Sequence, residues 1–414
     1  RRTLAIWNIL ASAGRRTAVV GWWATYPAED VGGGVIVSDA LGHHGFGATA
    51  RGSSDAGATH PPELFAEAEA RMPVPHQVGS EFAQRFIDLD ADELRRALFH
   101  PGRDARPDPD DPFHLFQLYA ATAQGYTAIA EDLLARRDDD LFMVYFEQLD
   151  SLCHLFMKYA PPRLAWVHEA SFARFHRVVT AWHGYQDELL GRVLAGVDLD
   201  RTAVLVLSDH GFKSGDRRIR SEQVVDMSRA HLDHDRFGIL VAAGPHIRRG
   251  ASIEGASVLD ITPTLLYYLG LPVGRDMAGR VLLELFEPAF CDGRPVTYVA
   301  THEADPRASP RAVWDQDDQQ RALAALGYVD DGEGSTEDDK EAVEASSPEI
   351  HNNLARSHLH AGDLERAAEA FERALELDPR NAAALLGLGS IARRRGLIED
   401  AEHKVRQALQ ADPG

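Results

Sequence analysis

Cysteine is nearly absent from this 414-residue chain: Cys153 and Cys291 are the two present, and neither has a second cysteine close by. Two isolated thiols exclude a disulfide-stapled fold and a cysteine-rich zinc module. Apolar runs are also short, and none approaches the roughly 18 residues that a membrane-spanning helix needs.

Positive charge is scarce as well. Lys and Arg number 43 against 64 Asp and Glu, and the formal net charge is -21. A surface of this sign excludes general binding to duplex nucleic acid or to anionic membranes. It does not exclude an anionic substrate, because bound cations can reverse the sign of the field within a site.

The length and the 44% share of hydrophobic residues predict about two to three folded domains. Strand-like apolar runs alternate with helical periodicity over the first 300 residues, which indicates an α/β domain. One long, aromatic-rich helix is predicted over 164–195. Residues 40–111, rich in Gly, Pro and His, indicate an inserted cap around one helix near 80–99.

The stretch Ala203–Phe212 (AVLVLSDHGF) organises the rest. Its apolar run predicts a strand buried on both faces, and Asp209 and His210 follow at the carboxyl end, where parallel sheets place their ligands. A carboxylate and an imidazole suit zinc or a similar divalent ion. The simpler alternative is an Asp that caps the next element beside a surface His.

Two further apolar runs carry the same chemistry. The run at 141–146 leads into Asp150 and His154, which could instead be a helix N-cap and a core-facing His. His234 precedes a third run at 238–245. Because parallel strands bring their carboxyl ends to one edge of a sheet, we expect these Asp and His side chains to converge. Such a set is nearly enough to hold two metal ions about 4 Å apart, which would clamp an in-line displacement at phosphorus.

These motifs carry a family resemblance. The segments FEQLDSLCHLFMKYAPP, VLVLSDHGF, HDRFGILVAAGPHI and DITPTLLYYLGLPVGRDMAGR resemble the alkaline phosphatase superfamily, and most closely its type I phosphodiesterase/nucleotide pyrophosphatase branch. The opening segment IWNILASAGRRTAVVGWWATYPAE is similar to that branch too. The resemblance covers about residues 1–300 and implies a mostly parallel sheet flanked by helices, with the inserted cap at about 40–111.

The resemblance also implies roles. Asp150, His154 and His234 would bind one zinc ion, and Asp209 with His210 would bind the other; the ligand types also suit manganese. The Thr or Ser nucleophile and a further metal-binding Asp belong to a strand and helix upstream of the IWNIL helix, so we expect a truncated catalytic domain with little or no activity. Thr25 is not the nucleophile by this alignment. A small phosphate ester is the implied substrate.

The last stretch repeats with a period of 34 residues. The matching positions are Gly362 and Gly396, Ala367 and Ala401, Ala374 and Ala408, and Asp378-Pro379 and Asp412-Pro413. This period resembles the tetratricopeptide repeat and implies a helical-hairpin tail that binds a protein partner. We therefore expect a phosphodiesterase-like domain at 1–300, a tail and acidic linker at 301–347, and two repeats at 348–414.

Two alternatives remain open from the sequence. The first is a sulfatase or phosphomonoesterase of the same superfamily, which the metal set and the cap would decide. The second is a non-catalytic scaffold whose function lies in the repeats. Intact Asp150, Asp209 and His234 argue against such degeneration.

Overall fold

The structure is a computed structural model that describes residues 3–43, 57–98, 111–220, 233–253, 255–303 and 364–411, with a few residues between 348 and 359. The chain divides into two compact units, Arg1–Asp331 and Gly332–Gly414. The predicted tail and linker at 301–347 lies outside the described residues, apart from 301–303. The finer bounds of the three predicted segments stay predictions.

The strands of the first unit are short. They are β1 (Thr17–Trp22), β2 (Val35–Ser38), β3 (Thr59–His60), β4 (Leu141–Val144), β5 (Val204–Leu207), β6 (Gly211–Phe212), β7 (His234–Asp235), β8 (Leu240–Ala243), β9 (Val273–Gly274) and β10 (Tyr298–Val299).

Helices supply most of the remaining framework of this unit. They are α1 (Ile6–Ser12), α2 (Ala40–His43), α3 (Phe65–Glu69), α4 (Ser80–Ala83), α5 (Ala91–Leu98), α6 (Pro112–Arg136), α7 (Gln148–Phe156), α8 (Glu169–Phe175), α9 (Val178–Leu194), α10 (Ile261–Tyr268) and α11 (Pro288–Cys291). Among the described helices, none is both long and apolar enough to cross a bilayer.

The main sheet has the strand order β3-β2-β1-β4. Strands β1, β2 and β4 run parallel, and β3 pairs antiparallel at the edge. Alternate residues of β1 face opposite layers: Val19 packs with α1 and α10, whereas Ala18 and Val20 pack with α6. This two-sided burial is typical of a parallel sheet covered by helices on both faces, and it confirms the predicted α/β class.

Strand β5 departs from the prediction. It pairs antiparallel with β8, with Val206 opposite Val241, and this pair is a separate sheet among the described strands. One face packs, through Ala203 and Ala242, on the layer that holds α1 and α10. The other face is open: Val241 is 58% and Ile239 59% exposed. The expectations of burial on both faces and of a parallel strand here were therefore wrong.

Two predicted helices are each broken in two. The segment 164–195 forms α8 and α9, separated at His176 and Arg177, where Arg177 turns its guanidinium to Asp88 and to the Arg85 carbonyl. The segment near 80–99 forms α4 and α5. The helices on either side of both breaks pack around a shared aromatic core, which includes Phe86 and Trp182. This packing and, at His176, the Arg177 hydrogen bonds are tertiary contacts that override the local helical periodicity.

The second unit is helical. Its described helices are α12 (Leu364–Leu377), α13 (Ala382–Arg394) and α14 (Ile398–Ala411). Asn381 caps α13, since its side-chain oxygen accepts from the Ala384 N–H at 2.9 Å. The repeat positions Ala367, Phe371 and Ala374 are all buried between helices. The small and aromatic residues of the 34-residue period therefore form the core that the repeat predicts.

Candidate metal centre

Helix α7 carries the first pair of site residues. Strand β4 ends at Val144, and α7 begins four residues later at Gln148. Asp150 and His154 are four residues apart, so they lie on one face of the helix. Asp150 lies inside the first turn and is not the N-cap, which is Glu147. His154 is almost fully buried, with a 4% exposed side chain.

Two antiparallel pairings bring the other site residues to α7. Because β5 and β8 run in opposite directions, the end of β5 lies next to the beginning of β8. His210 follows β5 and His234 precedes β8, so both histidines arrive at the same end. The ladder continues as the β6–β7 ribbon (residues 210–213 and 233–235), in which Phe212 pairs with His234. Antiparallel pairing, and not a shared parallel edge, positions His234.

The four groups converge closely. Asp150 Oδ1 lies 3.5 Å from His210 Nε2 and 3.6 Å from His234 Nε2. Asp150 Oδ2 lies 3.5 Å from His154 Nε2, which is 2.9 Å from His234 Nε2. The rings of His210 and His234 are stacked, with centroids 3.6 Å apart. Asp150, His210 and His234 offer ligand atoms that all lie within 4.8 Å of one another.

These separations fit a metal ion. Two ligand atoms bound to tetrahedral Zn²⁺ at about 2.0–2.1 Å are about 3.3 Å apart. The Asp150-to-histidine distances of 3.5 and 3.6 Å are close to that value. One carboxylate with imidazole nitrogens is also a donor set that zinc prefers.

One carboxylate oxygen of Asp150 has no hydrogen-bond donor among the described residues. This atom, Oδ1, is buried. Burial raises the pKa of Asp150, while the nearby His154 and His210 lower it and Asp209 raises it. A buried carboxylate oxygen without a donor is costly in a protein interior, and a bound cation would satisfy it.

Asp209 lies at the rim of this group. Its side chain is 70% exposed, and its Oδ1 atom is 3.9 Å from His210 Nε2. The structure thus gathers Asp150, His154, His210 and His234 into one cluster, with Asp209 beside it. The division of these residues between two ions stays a prediction.

Asp233 is a residue that the sequence reasoning did not assign to the site. Its Oδ2 atom lies 3.4 Å from His154 Nδ1. A carboxylate at that ring nitrogen fixes the tautomer and leaves Nε2 free to bind a metal. The signal was available in the sequence, since Asp233 immediately precedes His234, but only the fold shows which histidine it contacts.

Thr25 has a local structural role. Its hydroxyl is 3.2 Å from Asp39 Oδ1, and the Thr25 and Ala24 amides donate to the same carboxylate. The side chain is buried in this turn.

Comparisons with known proteins identify both parts of the chain. Residues 2–260 match the family model described as type I phosphodiesterase/nucleotide pyrophosphatase. Residues 352–414 match a tetratricopeptide repeat model. Both matches confirm the resemblances that the motifs and the 34-residue period carried.

Two curated proteins are each similar to about a quarter of the chain. A 2,3-bisphosphoglycerate-independent phosphoglycerate mutase of Shewanella denitrificans is 33% identical over 104 residues, which are 24% of this chain and 18% of that protein. Human arylsulfatase K is 28% identical over 109 residues, which are 25% of this chain and 19% of that protein. The matches thus span about a fifth of the length of these relatives.

Proposed function

Because the chain belongs to the type I phosphodiesterase/nucleotide pyrophosphatase family of the alkaline phosphatase superfamily, we propose that its first unit is a metal-dependent hydrolase domain for phosphate esters. The observation that carries this proposal is the convergence of Asp150, His154, His210 and His234 around a buried oxygen, Asp150 Oδ1, that has no hydrogen-bond donor among the residues the structure describes.

We propose that the site binds two divalent ions, for which the ligand types favour Zn²⁺ and also suit Mn²⁺. Asp150, His154 and His234 would hold one ion, and Asp209 with His210 would hold the other. When bound, the ions would supply Lewis-acid stabilisation for the charge of a phosphoryl group and raise the acidity of the attacking hydroxyl.

The chain's own residues prepare this site. Asp233 orients His154 through its Nδ1 atom. Phe212 packs its ring against His154, His210 and His234 and limits how far these rings can turn. Ligands that are already aligned lose less conformational entropy when an ion binds, which favours tight binding.

We infer that the nucleophile is a Thr or Ser, as the family resemblance implies. Thr25 is not that residue in this proposal, because its hydroxyl lies 3.2 Å from Asp39 Oδ1 inside a buried turn.

The reaction class is tested by substrate. The family match favours a phosphodiester as the substrate, whereas the similarity to an arylsulfatase favours a sulfate ester as the second candidate. A panel of p-nitrophenyl phosphodiester, phosphomonoester and sulfate separates the three, because the preferred substrate will show the highest kcat/KM.

The repeats give a second candidate function. Helices α12, α13 and α14 form a groove lined by Glu372, Leu388 and Lys404 among others. We propose that this tail binds a protein partner, as a tetratricopeptide repeat suggests. In a purely scaffolding protein this activity would remain and the first unit would bind no metal.

The test is metal content of the purified chain, measured by mass spectrometry after dialysis, beside the substrate panel. We expect about one to two zinc ions per chain, with fewer in Asp209→Ala and fewest in Asp150→Ala. A chain that retains no divalent ion under these conditions would refute the proposal and favour the scaffold.

A further inference from the structure

Arg218 is buried in the first unit beside the segment that follows α7, yet no ion pair to it is seen among the described residues. Only 7% of the residue is exposed. Its guanidinium donates to five main-chain carbonyls, those of Gly215, Met157, Lys158, Ala160 and Pro162. Arginine has five N–H donors in a planar fork, so one guanidinium can donate hydrogen bonds to several neighbouring carbonyls at once.

Four of these five carbonyls belong to residues 157–162, which directly follow α7. That helix ends at Phe156, and a single 3-10 turn, Met157–Tyr159, follows it. A cation close to the C-terminal end of a helix is favourable. Arg218 holds the turn that directly follows α7, beginning three residues beyond His154.

Arg218 also belongs to the chain that carries the other ligands. It lies eight residues after His210, in the segment that leaves the β6–β7 ribbon. That segment is tied to β7 by the Lys213 N–H, which donates to the Asp233 carbonyl at 2.8 Å. Arg217 adds an ion pair with Asp235. One side chain thus joins the helix that bears Asp150 and His154 to the ribbon that bears His210 and His234.

We infer that Arg218 is a positioning residue that holds α7 and the β6–β7 ribbon in register, so that their ligands meet before an ion binds. The inference rests on the metal centre proposed above. Without the fork, four carbonyls that follow α7 would lose their guanidinium donor at once, and the Asp150-to-histidine distances of 3.5 and 3.6 Å would no longer be fixed. The loss would appear as weaker metal binding, for which the about 10–100-fold effect of losing outer-shell partners of metal ligands gives the scale.

Arg218→Lys tests this role, because it keeps the charge but removes the fork. The matched control is Arg294→Lys. Arg294 likewise donates to two main-chain carbonyls, those of Tyr267 and Tyr268, at the end of α10. It supports the fold in the same way and contacts none of the metal-binding residues.

Zn²⁺ affinity is measured on the full chain by competition with a chromogenic chelator, and site geometry by the visible spectrum of bound Co²⁺. We expect Arg218→Lys to weaken Zn²⁺ binding roughly tenfold and to reduce the Co²⁺ absorption of a tetrahedral site. Arg294→Lys should match the unaltered chain in both, even where its Tm falls. If Arg218→Lys does not fold by circular dichroism, Arg218→Gln provides a second variant with the same expected weakening.

The outcomes separate the two proposals. Equal Zn²⁺ affinity in a folded Arg218 variant and in the unaltered chain would overturn the role of Arg218 alone. The same loss of affinity in Arg294→Lys would also overturn it, because general destabilisation would then explain the effect. Failure of the unaltered chain to bind Zn²⁺ would overturn the metal centre and this inference with it.

Discussion

Replacement of Asp150 by Asn should stabilise the metal-free protein and abolish its stabilisation by metal. The Oδ1 atom of Asp150 is buried and accepts no hydrogen bond among the described residues, and burial raises its pKa. A raised pKa means that the folded metal-free state favours the protonated form, so the ionised carboxylate destabilises it at neutral pH. Asn has the same shape without the charge.

The magnitude follows from that buried oxygen. A buried polar group left without a partner costs about 1–3 kcal/mol. Recovery of about 1 kcal/mol raises the Tm of a large domain by about 2–4 °C. A ligand present at 100 times its Kd stabilises the unaltered chain by about 2.7 kcal/mol, or about 5–10 °C on the same scale. The Asn variant should lose nearly all of this metal-dependent rise in Tm.

The assay is thermal unfolding at neutral pH, with chelator and then with excess Zn²⁺. The two chains should change rank: the Asn variant melts higher without metal, and the unaltered chain melts higher with it. Asp187→Asn is the control, since Asp187 is an exposed carboxylate on α9, and it should leave both values unchanged. An Asn variant that melts lower without metal and keeps the Zn²⁺ shift would refute the reasoning.

Three further predictions concern other parts of the chain. A Cβ on Gly387 would lie 2.2 Å from the Phe371 ring, so Gly387→Ala should lower the free energy of unfolding of the repeats in urea by about 1–3 kcal/mol. The control is Gly184→Ala, in open space on α9, which should raise the free energy of unfolding by up to about 1 kcal/mol. Burial raises the pKa of Cys153 to about 12, so iodoacetamide should alkylate it only after unfolding. Alkylation mapped to Cys153 in the native chain at pH near 8 would contradict this, whereas alkylation of the partly exposed Cys291 would not. Burial lowers the pKa of Lys158 to about 8, against the opposing charge of Asp233. Between about pH 8 and pH 10.5, the unfolded chain keeps the Lys158 proton that the folded chain has released, so the stability of the unaltered chain rises with pH. Lys158→Met should therefore be the more stable chain near neutral pH and lose that advantage as pH rises. A difference in the free energy of unfolding that stays constant with pH would exclude this explanation.

Much of the fold was predictable because its signals are local. The parallel strands β1, β2 and β4 arise from short apolar runs, and burial on both faces selects such runs. The 34-residue period depends on Ala and Phe positions that pack within each helical hairpin, and the buried Ala367 and Phe371 agree with it. The broken helix at His176 was not predictable, because contacts with Asp88 and the Arg85 carbonyl, far away in the sequence, decide it.

The candidate centre was also predictable only in part. The residue types and the order Asp150, His154, Asp209, His210 and His234 are properties of the sequence, since ligand chemistry is fixed by the side chain. How they meet was decided by pairing: the antiparallel β5–β8 ladder, not a shared parallel edge, brings His234 to His210.

The sequence by itself determined the class of fold, the repeat and the chemical type of the site. Only the tertiary structure decided that Asp233 contacts His154, that Asp209 lies at the rim, and that Arg218 joins α7 to the β6–β7 ribbon. The physical reason is distance along the chain. Hydrophobic periodicity and ligand type are set by residues within a few positions of one another. A hydrogen bond between residues 60 or 80 positions apart depends on how every intervening element packs.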